Sequence, residues 1–372
     1  MTMRERFVGC LSFEPIDRVP NHELGIWGQT HDRWLTEGMP QSAIREGWFD
    51  GVEYFGLDRR EFINIGLGMI PGFEAEVLQE TDRYVIARNY EGIVTKALKQ
   101  GTVHGTRASM DQYLRFPVET REDFTQLKKR YEPSNPLRYP TYWDSRCVSW
   151  QGRDHPLCLC VNCAMGLYSN LRRWMGTENL SYAFYDQPDL VHEMVEFVAD
   201  FTIETLGRAV QDVDIDYFNY FEDFACKSGP LFSPDVFRRF FLPHYQRINE
   251  FLNTHGIDII SLDSDGNTEA LLPLLIEAGI TMHWPLEIAS DMDPVRLRKQ
   301  YGHDLALSGG IDKRELTKDR RAVELEVMAK IPALVADGGY IPTLDHTFPP
   351  DIPYDNFLYY LELKQKCLCG DT

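Results

Sequence analysis

Acidic side chains and one histidine stand where short apolar runs end in the second half of the chain. Groups of this kind bind a metal ion or the polar part of a substrate when a fold brings them together. Asp263 and Asp265 follow the first of these runs and His346 follows the last. We predict that these three residues are catalytic. The acidic residues and the histidine that stand at the ends of these apolar runs are Asp263, Asp265, Glu287, Asp312, Asp345 and His346.

The pattern between Gly256 and His346 indicates which elements position these side chains. Four times, a short apolar run stops on a polar residue, and helical patterns separate the runs. This alternation predicts βαβ units and a parallel sheet. Further apolar runs near residues 20, 50, 158 and 217 bring the strand count to about eight. The sequence therefore predicts an α/β fold of the (β/α)8 TIM-barrel type, in which active sites lie at the carboxyl ends of the strands.

A different pattern occupies residues 74–101. Polar and apolar residues alternate from Glu76 to Thr95 around two turn-like positions. This period of two predicts an antiparallel β meander. No linker rich in Gly, Ser or Pro flanks the stretch, so we interpret it as an insertion and assign residues 1–372 to a single domain.

Composition excludes several classes of protein. The chain has 372 residues and a formal net charge of −19, which argues against nucleic-acid binding because phosphate contacts need a basic surface. No apolar run approaches the length that spans a bilayer, and the N-terminus lacks the apolar stretch of a signal peptide. Without a secretion signal, the eight cysteines are expected to be thiols. We expect a cytoplasmic enzyme that does not bind membranes.

Several polar and aromatic residues near predicted strand ends are candidates for binding a substrate. Aromatic side chains at these places would form an apolar pocket for a planar ligand, although packing in the core explains them equally well. Polar neighbours at the strand ends would contact the ligand. The predicted substrate-binding residues are His22, Trp27, Asn162, Tyr220, His283, Trp284 and Phe348.

Structural alternatives exist for the most prominent motifs. Asp263 is also a favourable helix cap, and Ser264–Asn267 has the composition of a turn. Cys158, Cys160 and Cys163 form a Cys-X-Cys-X-X-Cys run, but no second cysteine pair completes a four-ligand site. We interpret these cysteines as buried thiols in an apolar strand.

Several short motifs, taken in order along nearly the whole chain, resemble the uroporphyrinogen decarboxylase-like superfamily. This resemblance implies a distorted (β/α)8 barrel. The motifs are Arg4–Phe7 with Glu14–Pro20, Leu171–Gly176 with Tyr185–Pro188, Ser233–Arg238, Gly309–Asp312 and Pro349–Asn356.

Two branches of that superfamily imply different chemistry. The decarboxylases carry an Arg-Gln-Ala-Gly-Arg stretch after the first strand, where this chain has Leu24–Gly28. The absence of arginine there argues against a polycarboxylate substrate. The other branch resembles zinc-dependent methyltransferases with a His-X-Cys metal motif and a distant Cys. Here Asp263 and Asp265 occupy the first two of those positions and His346 the last.

The resemblance thus implies a divalent metal, expected to be zinc, held by Asp263, Asp265, His346 and a fourth candidate, Glu222. It also implies a methyltransferase component of a corrinoid-dependent demethylation system that acts on a methoxylated, possibly aromatic, small molecule. Since no Asp-X-His-X-X-Gly cobalamin motif occurs, the corrinoid is expected on a separate, transiently bound protein. A metal-free decarboxylase or lyase is the first alternative, and a non-catalytic binding protein is the second.

Overall fold

The computed structural model describes residues 1–45, 51–103, 106–107, 110–159 and 166–370. Within these ranges, none of the helices has both the length and the apolar character needed to cross a membrane. The architecture is a mixed α/β fold built on one parallel sheet, with a separate antiparallel sheet inserted after the first strand.

The parallel sheet contains seven strands whose spatial order follows the chain, and every neighbouring pair is parallel. The four apolar runs between Gly256 and His346 form the last four strands, which confirms that part of the sequence prediction. The strands are β1 (Glu61–Ile63), β2 (Leu157–Leu159), β3 (Tyr217–Phe221), β4 (Ile259–Asp263), β5 (Met282–Leu286), β6 (Ala306–Gly309) and β7 (Tyr340–Ile341).

Helices connect these strands and begin where the sequence offers caps. The side chains of Thr120, Ser233, Asp293 and Asp319 each accept a hydrogen bond from a backbone N–H in the first turn of the following helix. The α-helices are Met3–Leu11, Gly28–Thr36, Arg121–Lys128, Trp143–Ser149, Leu167–Met175, Thr177–Asp186, Pro188–Asp212, Pro234–Val236, Leu242–Asn253, Leu272–Glu277, Pro294–Tyr301, Arg320–Ala336 and Tyr354–Cys369. A π-helical turn, Phe237–Phe241, joins Pro234–Val236 to Leu242–Asn253.

The two faces of the sheet carry different side chains, because successive residues of a strand point to opposite sides. Phe218, Tyr220 and Leu262 belong to the large hydrophobic core shared with the helices, and we call their side the outer face. Tyr217 and Ile259 pack with Phe7 in a separate cluster on the opposite side, which we call the inner face.

The predicted first strand, residues 18–24, forms no ladder, and Pro20 contributes to this because it has no N–H to donate. The segment still touches both edges of the sheet. Next to β1, the Asp58 N–H donates to Asn21 O over 2.8 Å, and beyond β7 the Leu344 N–H donates to a Glu23 carboxylate oxygen over 3.1 Å. The strand expected near residue 50 is β1 instead, and residues 46–50 lie outside the described part of the chain.

The inserted meander is confirmed and extends further than predicted. Its four antiparallel strands are Glu76–Glu80, Tyr84–Arg88, Val94–Leu98 and Gln112–Arg115. Two short antiparallel pairs complete the described strands: Thr102–Val103 with Thr106–Arg107, and Ala225–Cys226 with Gly229–Pro230.

Candidate active site

A cavity of about 440 Å³ lies against the inner face of the sheet. We call it the inner cavity. Strands β1 and β3 to β7 all contribute side chains to its wall, and Phe7, Met282 and Ile341 are among its apolar residues. Its size falls in the range of small-molecule sites. The sheet therefore presents one side to its helices and the other to a space that can hold a ligand.

Asp263, Asp265 and His346, the three predicted catalytic residues, all line the inner cavity. His346 Nε2 lies 3.5 Å from Asp265 Oδ2, and the two side chains are partly exposed. His346 Nδ1 lies 2.8 Å from Thr347 Oγ1, which in turn accepts a hydrogen bond from the Trp27 indole over 2.5 Å. Trp27, predicted to bind substrate, thus reaches the site through Thr347.

The electrostatic environment of the site shifts the pKa values of Asp263 and His346 for different reasons. Burial, together with the negative charges of Asp265 and Asp223, raises the pKa of Asp263 well above its ordinary value. For His346, burial acts against the charged form, but the hydrogen bond and attraction from Asp265 outweigh it and raise the pKa. The arrangement combines a buried carboxyl group whose raised pKa favours its protonated form with an imidazole whose protonated form is favoured by the neighbouring Asp265.

The Asn219 side chain projects from the middle of β3 and is fully buried in the wall of the inner cavity. Its Oδ1 accepts hydrogen bonds from Ser261 Oγ, at 2.5 Å, and from the Trp284 indole, at 2.9 Å. Because the Trp284 indole N–H can only donate, its hydrogen bond fixes which end of the amide is oxygen. The Nδ2 group has no hydrogen-bond partner among the described residues. An orphaned buried donor in a cavity wall is suited to bind an acceptor on a ligand.

Arg60 and His22 line another part of the same cavity. The Arg60 guanidinium donates to the Glu23 backbone carbonyl over 2.8 Å. Burial, with the positive charge of Arg60, lowers the pKa of His22 well below its ordinary value. His22, a predicted substrate-binding residue, is therefore a neutral imidazole at neutral pH.

Glu222 is separated from the other predicted metal ligands because it follows β3 on the outer face. Its carboxylate accepts hydrogen bonds from the Tyr168 N–H at 3.1 Å and the Ser169 N–H at 2.8 Å, and the Tyr245 hydroxyl donates to it as well. A Cβ at Gly166 would overlap this carboxylate. Glu222 thus caps the helix Leu167–Met175 and takes part in packing that helix against the sheet.

Three further predicted substrate-binding residues point away from the inner cavity. The Tyr220 hydroxyl donates to Asn249 Oδ1 over 2.8 Å, and His283 Nε2 lies 2.8 Å from Thr268 Oγ1. Phe348 is fully buried in a core cluster around Trp34. Trp284 does line the cavity, whereas Asn162 lies outside the described residues.

Two of the other acids at the strand ends, Glu287 and Asp345, form ion pairs with one lysine and do not line the cavity. Lys313 Nζ lies 3.3 Å from Glu287 and 3.5 Å from Asp345. Burial raises the pKa of Asp345 to about 6 although Lys313 opposes the shift. Asp312 is paired with Arg314 at 2.6 Å. None of these three acids is among the described residues that line the inner cavity.

The described residues do not fit the predicted metal. Asp265 and His346 approach each other, but no three His, Cys, Asp or Glu side chains in the described ranges are grouped so as to hold an ion. A catalytic zinc takes three protein ligands. The chemistry below is therefore derived from the side chains alone.

The sequence prediction missed Arg60, Asn219, Ser261 and Phe221. The signal for three of them was available, since Asn219 and Phe221 alternate with Tyr220, and Ser261 is two residues before Asp263. Arg60 carried no comparable signal because β1 has three residues and no clear alternation.

Comparisons with known proteins agree with this architecture. The family model described as uroporphyrinogen decarboxylase (URO-D) matches residues 113–366, more than half of the chain. The uroporphyrinogen decarboxylases of Pelobacter propionicus and Syntrophotalea carbinolica are each 23% identical, over 185 and 186 residues. Each alignment covers 49% of this chain, and it spans about half the length of the curated relative, 51% and 50% respectively.

A solved structure extends the likeness to the whole fold. It is a methyltransferase from Methanosarcina mazei, with a TM-score of 0.64 over 98% of this chain and 99% of that chain. The sequence identity is 14%, so the likeness is one of fold.

Proposed function

We propose that this chain, which belongs to the uroporphyrinogen decarboxylase family, is a methyltransferase that removes a methyl group from a small methoxylated molecule in the inner cavity. In this proposal Asp263 protonates the oxygen that the methyl group leaves, and a reduced corrinoid on a separate protein accepts the methyl group. The observation that carries the proposal is the position of Asp263 beside aromatic side chains in one cavity.

Proton donation matters because an alkoxide or phenoxide is a poor leaving group. When the methyl C–O bond breaks, its electron pair remains on oxygen, and a proton from the Asp263 carboxyl group turns that oxygen into a hydroxyl. The methyl group leaves to the reduced corrinoid, which contributes the electron pair of the new bond. Asp263 is left as a carboxylate. Its raised pKa favours recovery of a proton from solvent before the next turnover.

The surroundings of Asp263 support this role. Phe62, Tyr217, Phe221 and Trp284 line the same cavity, and their rings provide flat apolar walls for a planar molecule. Water exclusion by such walls strengthens the interaction between the carboxyl group and the developing charge. The partly exposed pair Asp265–His346 adds a second group that can exchange protons in the same cavity.

The fold gives additional support. A likeness that covers almost all of both chains is consistent with a substrate site at the same end of the sheet, as in barrel enzymes. We further propose that residues 18–26 take the place of an eighth strand between β7 and β1, because this segment contacts both edges. Closure there would separate the inner cavity from solvent.

The reaction class can be tested with the unmodified protein. Purified protein is incubated with the 2-, 3- and 4-methoxybenzoates, the matching methoxybenzamides and chemically reduced cobalamin, and the hydroxylated product is measured by chromatography. We expect a hydroxylated product that requires both protein and cobalamin. Absence of product from every compound would reject the proposal for aromatic methyl ethers.

A second candidate function is decarboxylation of a small aromatic or pyrrole acid, favoured by the match to the uroporphyrinogen decarboxylase family model. Here the C–C bond breaks, carbon dioxide leaves, and Asp263 protonates the carbon that keeps the electron pair. This reaction needs no methyl acceptor. Carbon dioxide release in the absence of cobalamin, without formation of a hydroxylated product, would favour this candidate over methyl transfer.

A further inference from the structure

We infer that the inner cavity selects an aromatic molecule with one anionic group, which Arg60 binds, while Asn219 donates a hydrogen bond to a second acceptor on the same molecule. The inference rests on the proposed function and deepens it by naming the substrate class. The sequence patterns did not point to it, because neither Arg60 nor Asn219 is among the residues that they predicted for the site.

Arg60 provides the unbalanced positive charge. It is the one Lys or Arg among the described residues that line the inner cavity. Its guanidinium has a hydrogen bond to the Glu23 carbonyl, and no described carboxylate lies within 4.0 Å of it. Arginine presents several N–H donors in a plane, so the groups left over can bind a carboxylate on a ligand.

The carboxyl groups of the cavity wall do not neutralise Arg60. Other cations hold three of them, and burial raises the pKa of the fourth, Asp263, although Arg60 opposes that shift. Glu23 forms a fully buried pair with Lys364 at 2.6 Å. Asp58 is held by Arg18 at 2.6 Å, and Asp265 lies beside His346 at 3.5 Å. These pairs leave the Arg60 guanidinium as the group that still lacks a counter-charge.

Asn219 supplies an independent observation. Its side chain is fully buried, its oxygen is occupied by Ser261 and Trp284, and its Nδ2 group lacks a partner. A buried donor without a hydrogen-bond partner is unfavourable, so a ligand that accepts a hydrogen bond from Asn219 Nδ2 gains affinity from that contact. The same bonds hold the Trp284 ring in place along the wall.

The Arg60 cation and the orphaned Asn219 donor, set among aromatic walls, match a ligand that carries one anionic group and one hydrogen-bond acceptor. A molecule with several carboxylates would bring further negative charges into a cavity whose described wall offers one unpaired cation, so those charges would stay unbalanced. A neutral aromatic molecule would leave Arg60 without a counter-charge. A singly charged aromatic acid with a second acceptor, such as an ether oxygen, satisfies both groups.

The experiment measures binding without turnover. Isothermal titration calorimetry compares each of the 2-, 3- and 4-methoxybenzoates with its neutral methoxybenzamide, with no corrinoid present. We expect at least one acid to bind the wild-type protein about tenfold or more tightly than its amide. That preference should disappear in Arg60→Gln and persist in Arg59→Gln, whose side chain is exposed and one position away.

The outcomes separate this inference from the proposed function. If no acid binds better than its amide, or if Arg60→Gln keeps the preference while circular dichroism shows a folded protein, the inference is wrong. In Asn219→Leu we expect weaker binding of acid and amide alike, and unchanged affinities would remove Asn219 from the inference. An anion preference without methyl transfer would retain the substrate class and reject the proposed reaction.

Discussion

The inner and outer faces of the same strands differ in how their polar groups are used. On the outer face, Tyr220 bonds to Asn249, His283 to Thr268, and Glu222 to the helix Leu167–Met175. On the inner face, Asn219 has an orphaned donor and Arg60 lacks a counter-charge. Polar groups on the outer face therefore stabilise the fold, whereas those on the inner face remain available for a ligand.

The difference between the inner and outer faces has its largest expected effect on metal binding. Of the four predicted ligands, Glu222 lies on the outer face and the other three line the inner cavity. Asp265 is the one predicted carboxylate ligand within 4 Å of His346. We expect elemental mass spectrometry of chelator-free protein, after zinc is supplied and excess removed, to find well below one zinc per chain. A full equivalent that falls in both Asp265→Ala and His346→Ala would restore the metal prediction.

Next in size is the effect of removing an outer-face carboxylate. Glu222→Leu leaves the Tyr168 and Ser169 N–H groups and the Tyr245 hydroxyl without their acceptor, so the free energy of unfolding should fall by about 3 kcal/mol. Asp223→Leu is the matched control, since its carboxylate is partly exposed and the change should be below about 1 kcal/mol. Urea unfolding followed by circular dichroism measures both. Equal changes would mean that Glu222 has no special structural role.

Two neighbouring residues sharpen the comparison. Tyr220→Phe removes one buried hydrogen bond and should lower the free energy of unfolding by about 1 kcal/mol while leaving ligand affinity unchanged. Asn219→Leu should instead weaken binding of methoxybenzoates. Calorimetric titration of both variants measures the difference. If Tyr220→Phe weakens binding as much as Asn219→Leu does, the division between faces is wrong.

The smallest expected effect concerns His346. Its raised pKa depends on Asp265, so NMR titration should place the His346 midpoint above about 6.5 and find it lower in Asp265→Asn. A raised histidine pKa contributes stability that is present below the unfolded value and is lost as pH rises through the folded value. The stability difference between wild type and Asp265→Asn should thus shrink at alkaline pH. Because both side chains are partly exposed, it should stay below about 1 kcal/mol.

Identical His346 midpoints in the two proteins would contradict the ion pair. A matched comparison is available in Asp258→Asn, because Asp258 precedes β4 at its opposite end and should not influence His346. That variant should titrate as the wild type does. The difference in the free energy of unfolding between wild type and Asp258→Asn should also remain constant over the same pH range.

The sequence predicted the parallel sheet and the meander because both depend on local periodicity. It wrongly predicted a strand at residues 18–24, because their apolar pattern resembles one. Pro20 has no N–H to donate, and the segment contacts two edges of the sheet, so no regular ladder forms. β1 was expected near residue 50 and lies at Glu61–Ile63, because three residues are too few to show a period. Closure of the sheet into an eight-stranded barrel stays a prediction.

For the site, the sequence predicted that Asp263, Asp265 and His346 lie together, because all three follow strands of one parallel sheet. It placed His283 and Trp284 in one pocket, although adjacent residues of a strand point to opposite faces. The same parity separates Glu222 from Asp263. The charge balance around Arg60 could not be predicted, since it depends on Lys364 and Arg18 from distant parts of the chain.

The most direct test of the account is one measurement on Asp263. Release of the hydroxylated product in a single turnover is compared between chelator-treated wild type and Asp263→Asn, at saturating methoxybenzoate and with reduced cobalamin. Loss of a proton donor should slow product release by about 10²-fold or more, with ligand affinity retained. Equal rates in the two proteins, or a wild-type rate that disappears with the chelator and returns with zinc, would contradict the role assigned to Asp263.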